Sequence, residues 1–196
     1  MSFTNDNTAK NVSASMSRVQ ILVLPFILSS LLLAFPYVLI WGLEDFALAW
    51  KPFFGTLWFL PIVFGGIVVR ELVHAFTWKL LAGLQWSEMK LGFQWKTLTP
   101  YAHAKKAMKT KPYRWGAAMP ALLLGFLPYC AALITGSGGL FAFGMLFIVA
   151  ATGDFWILYT LRKEPTYCWV ADHPENAGCL VYQHEPVLSP ERIEIS

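Results

Sequence analysis

Arg70-Glu71-Leu72-Val73-His74 is the most chemically loaded run in this chain. It has the form of H-E-x-x-H with arginine at the first histidine position. In the intact motif, two histidines at i and i+4 share a helix face and bind zinc, while the glutamate activates a metal-bound water. A third ligand from elsewhere, often a carboxylate, completes such a site. Here Glu71 is the candidate general base, His74 and Asp154 are candidate metal ligands, and zinc is the cofactor this chemistry would use. Arg70 cannot ligate a metal, because a guanidinium stays protonated and offers no acceptor. Without metal the same residues read as a staple, with Arg70 paired to Asp154 across two helices.

Those residues lie in apolar surroundings, and that setting defines the fold class. Of the 196 residues 56% are apolar and only 14% charged, with nine tryptophans. A soluble domain uses roughly 25% charged residues to cover its surface. The deficit is that of a lipid-facing protein, and ionisable groups within membrane spans are costly enough to have a partner or a task. The pattern predicts an α-helical integral membrane protein with about four transmembrane helices, at residues 19–41, 53–84, 115–135 and 140–161. Residues 1–18 read as a disordered polar lead-in, 19–163 as the membrane domain and 164–196 as a cytoplasmic tail. Gly42 to Lys51, with Glu44 and Asp45, reads as a short interfacial loop.

Depth in the bilayer follows from counting. Glu71 lies eight residues before Lys79, and Asp154 eight residues before Arg162. On a helix that is about 12 Å in each case. Both helices run the same way, so the acid and the triplet are expected at one level of the bundle.

Charge sets the orientation. Between Leu84 and Trp115 stand Lys90, Lys96, Lys105, Lys106, Lys109, Lys111 and Arg114 against one acid, Glu88. Lys10 and Arg18 precede the first span, and Arg162 and Lys163 follow the last. All fall on one side, so the positive-inside rule predicts cytoplasmic N- and C-termini. The basic loop is no nucleic-acid surface, since it is not a basic face on a folded soluble domain. Within it Met89, Leu91, Phe93 and Trp95 alternate with polar residues, which predicts a short cytoplasmic β segment paired with the stretch Leu98 to Ala104. In the tail, Asp172-His173-Pro174-Glu175-Asn176 reads as a turn and Cys179 to Tyr182 as a strand. Cys130, Cys168 and Cys179 show no zinc-finger spacing and are expected as free thiols.

The helical Arg70 to His74, the Tyr101-Ala102-His103 stretch, Gly153-Asp154, and Asp172-His173-Pro174 with Gly178 occur in an order that resembles a bacterial membrane family of zincin peptidases, a group similar to site-2-type intramembrane proteases. The resemblance covers roughly residues 55 to 182. It implies zinc ligands at positions 70, 74 and 154, Glu71 as base and residence in the bacterial inner membrane. His103 is the replacement ligand to consider, because position 70 here is arginine. The departure points to a family member degenerate at the metal site, acting as a non-catalytic client-binding or regulatory membrane protein. The alternatives are an active zinc-dependent intramembrane peptidase and a small-solute transporter using a polar path at Arg70 and Asp154. The expected partners are the lipid bilayer and a membrane-protein or peptide client.

Overall fold

The structure is a computed structural model and describes residues 10–11, 28, 31–51, 55–94, 99–173 and 178–186. Most of the predicted lead-in and first span, the start of the second span, Trp95, Pro174-Glu175-Asn176 and residues 187–196 lie outside them. In chain order the elements are β1 (Lys10–Asn11), α1 (Ala34–Ala49), α2 (Phe59–Ala82), β2 (Met89–Gln94), β3 (Thr99–Ala104) and β4 (Met108–Lys109). There follow α3 (Thr110–Thr135), α4 (Gly138–Ala150), α5 (Thr152–Leu161), β5 (Trp169–Asp172) and β6 (Cys179–Tyr182). Helices α2 and α3 are long and apolar enough to cross a membrane, and the bent pair α4–α5 makes a third span if it is counted as one. The mostly helical fold with a small β component agrees with the sequence reading at that level.

Three departures matter. The stretch expected as an interfacial loop continues as helix to Ala49, kinked where Gly42 adopts φ 89°. The last predicted span, 140–161, is two helices bent by 47° around Ala151. Within α3, residues Ala121–Phe126 form a π-helical turn. It is flanked by Pro120 and Pro128, neither of which has an N–H to give the regular ladder.

Two cores hold the molecule together. At one end Tyr37, Ala49, Tyr129, Ala132, Phe141, Met145 and Ile148 join α1, α3 and α4. The polar tips of this core are satisfied by helix-end carbonyls: Tyr37 donates to Gly136 O at 2.8 Å and Tyr129 to Leu33 O at 2.7 Å. At the other end Ala75, Trp78, Met89, Ala104, Met108, Tyr113, Leu161, Val170 and Val181 join α2 and α3 to the hairpin and the tail.

The β2–β3 hairpin is antiparallel, with Leu91 opposite Ala102 and Gly92 opposite Tyr101. The Tyr101 ring tip lies close over Gly92, where a Cβ would make it shift. A separate four-stranded sheet has the order β1-β6-β5-β4. Its strands come from the N-terminal segment, from the connection between α2 and α3, and from the tail, so all three lie together at one end of the bundle. Arg114 of α3 caps the last helix by donating to the carbonyls of Leu161 and Glu164.

The tail sheet also separates its cysteines. Asp172 faces Cys179 across the β5–β6 ladder, while Cys168 precedes the far end of β5. Four strand positions are about 13 Å, too far for a disulfide. Both are free thiols. Burial, with Asp172 beside it, pushes the Cys179 thiol up to about 12. In a Cys130→Ser background, maleimide at pH 8 should leave the folded protein unlabelled and modify it only on unfolding. Rapid native labelling would mean that the sheet opens.

Candidate functional site

Glu71, His74 and Trp78 fall at i, i+3 and i+7 of α2, so helical periodicity stacks them on one face. All three are buried. Arg70, one residue earlier, sits at the edge of that face with its side chain about 20% exposed. Opposite them, the bend at Ala151 starts a new helix, and Asp154 lies in its first turn. Carboxylates are favoured at a helix N-terminus, where backbone N–H groups are left without intrahelical partners. Thr152 donates to Val149 O at 2.6 Å, across the bend.

The guanidinium of Arg70 joins the two helices. One of its nitrogens donates to Glu71 Oε1 at 2.5 Å, and the other donates to Asp154 Oδ2. The second oxygen of Glu71 accepts the backbone N–H of Ala102, on β3, at 2.8 Å. Both Glu71 oxygens are therefore engaged. His74 Nε2 stands 3.6 Å from Asp154 Oδ1, beyond an ordinary hydrogen bond. The four residues assigned to α2 and α5 from the sequence are thus in one cluster.

His103 is not in that cluster. Its Nδ1 lies 3.4 Å from Asp172 Oδ2. Asp172 is the centre of a second polar group that sequence reasoning missed. Tyr113 donates to its Oδ1 at 2.6 Å and the Ala104 backbone N–H to its Oδ2 at 2.8 Å. Asp172 closes strand β5 and reaches the hairpin, where the sequence reading made it part of a local turn. An aromatic ladder runs between the two groups: the His74 ring lies 5.7 Å from Trp78, which stacks on Tyr113 at 6.0 Å. That ladder needs Gly116, since a Cβ there would overlap the Trp78 indole. No signal short of the fold connects Asp172 to Ala104, because a backbone amide leaves no mark in a sequence.

A mostly helical fold whose long helices are apolar enough to cross a membrane, with a motif-bearing helix, a connecting hairpin and an aspartate-bearing last helix, defines a class, and comparison with known proteins gives its name. The family described as Putative zincin peptidase matches residues 63–169, more than half of the chain, and the chain belongs to that family. No curated protein and no solved structure matches it.

Zinc is what that family description implies, and the donors present do not fit it. Position 70 offers a cation where a ligand is needed, and its guanidinium engages one oxygen each of Glu71 and Asp154. Among the described residues no three histidine, cysteine, aspartate or glutamate side chains are grouped to hold a metal.

Proposed function

We propose that this protein is a non-catalytic member of its family, a four-helix inner-membrane protein that holds an extended client segment without cutting it. One observation carries this reading: the Arg70 guanidinium bridges Glu71 and Asp154 and supplies the positive charge that a metal supplies in active relatives. Glu71 is then a structural acceptor for Arg70 and Ala102 rather than a base. Client capture is supported by the hairpin, in which no further strand pairs with β2 among the described residues. An extended segment added there would gain backbone hydrogen bonds.

Four spans and a common side for both termini are supported by parity. Strands β1, β4 and β5 share one sheet, so the chain crosses the membrane an even number of times between each successive pair. With α2 one crossing before β4, an earlier span is needed to complete the pair. The basic residues of the connection between α2 and α3 favour the cytoplasm for that side.

The test is the zinc content of the detergent-purified protein beside His74→Ala and Asp154→Ala variants. The expected result is no bound zinc in any of them, together with client capture that survives Glu71→Gln. Near-stoichiometric zinc that both variants lose would overturn the proposal in favour of an active peptidase. One distance favours that second reading. His74 Nε2 and Asp154 Oδ1 are 3.6 Å apart, close to the roughly 3.3 Å between two ligands of tetrahedral zinc.

A further inference from the structure

Strand β3 has an unusual outer edge. Alternate amides of a strand point the same way, so the N–H groups of Ala102 and Ala104 both face away from β2. Each ends on a carboxylate: Ala102 on Glu71 from the membrane helix, at 2.8 Å, and Ala104 on Asp172 from the tail sheet, at 2.8 Å. The next position along that edge is Pro100, which has no N–H. Every outward donor from 100 to 104 is therefore absent or taken by an acid.

We infer that Asp172 is a positioning residue for the buried cluster: its carboxylate pegs β3 in register, so that the Ala102 amide meets Glu71 and aims Glu71 at Arg70. The inference does not depend on whether the protein binds a client or cuts one. It assigns the tail sheet a task at the membrane site, although none of its residues belongs to the Arg70–Asp154 group.

The geometry demands two polar arms at 172. Three groups converge on it, namely the Tyr113 hydroxyl, the Ala104 amide and the His103 ring. Asp172→Ala removes both arms and leaves the Ala104 amide without its acceptor. Asp172→Asn keeps the volume and can serve both neighbours, its oxygen accepting from Ala104 and its NH2 donating to the Tyr113 hydroxyl, which accepts as well as donates.

The experiment is site-resolved hydrogen exchange on the full chain in detergent micelles. In Asp172→Ala, exchange at Ala104 should rise at least tenfold, and exchange at Ala102 should rise with it although its own acceptor, Glu71, is untouched. Amides of the β5–β6 ladder should not change. The conservative Asp172→Asn should retain the Ala104 and Ala102 protection. Ala102 staying protected in Asp172→Ala would overturn the inference, because Glu71 would then hold β3 unaided. Loss of protection across the whole tail sheet in Asp172→Ala would overturn it equally, since Asp172 would then be only a folding residue.

Discussion

Arg70→His is expected to give a chain that holds roughly one zinc per molecule. The substitution restores histidines at i and i+4 on one face of α2, with Asp154 already 3.6 Å from His74. It also frees one oxygen of Glu71 and one of Asp154 from the guanidinium. Metal analysis of the purified variant checks this, and His74→Ala added to it should abolish the binding. If zinc stays at background, the metal is excluded by more than Arg70. The Ala102 amide on Glu71 would be the next feature to disrupt.

The second large effect is on stability. Arg70→Ala should destabilise the protein by about 3–5 kcal/mol, the usual result of leaving buried charge unpaired. Two acids lose their partner at once, and the Glu71 and Asp154 side chains are only 12% and 9% exposed. Asp154→Ala should cost less, because Arg70 keeps Glu71. The double alanine variant should fall well short of the sum of the two, since residues in one network are not additive. Thermal unfolding in detergent measures all three. Simple additivity would mean that Arg70 and Asp154 do not interact in the folded protein. The exchanged pair Arg70→Asp/Asp154→Arg should recover part of the loss, because the relocated guanidinium on α5 would face two carboxylates on α2.

What the sequence made legible follows the physics of each signal. Helix α3 was readable because no charge occurs from Trp115 to Gly153, and α2 because only Arg70, Glu71 and Lys79 interrupt a long apolar run. The hairpin was readable because Met89, Leu91 and Phe93 alternate with polar or small residues, although of the three only Met89 is buried. The nearness of the Arg70–His74 segment and Asp154 was readable because Glu71 and Asp154 each lie eight residues before a cation. What each residue does there is a separate question that the proposed measurements address. The bend at Ala151 was not readable, since a break inside an uncharged run leaves only Thr152-Gly153 as a trace. The continuation of α1 through Glu44 and Asp45 was missed because a helix carrying exposed acids looks like a loop at a bilayer edge. The strands β1 and β4 are two residues each, too short for any period, and they exist only because β6 and β5 offer an edge.

The four-stranded sheet carries a lesson about how this chain is made. Its strands begin at residue 10, residue 108, residue 169 and residue 179, with long apolar helices threaded between the first three. Every pairing involves β5 or β6, so none can close before all five helices have been made. On the four-span reading, a helix inserted the wrong way round would leave one strand on the far side, and the sheet could not form. Val170, Cys179 and Val181, fully buried in the finished protein, would then remain exposed to water as a handle for proteolysis. The sheet is thus a built-in inspection step at the end of biogenesis, where only a correctly threaded chain becomes compact.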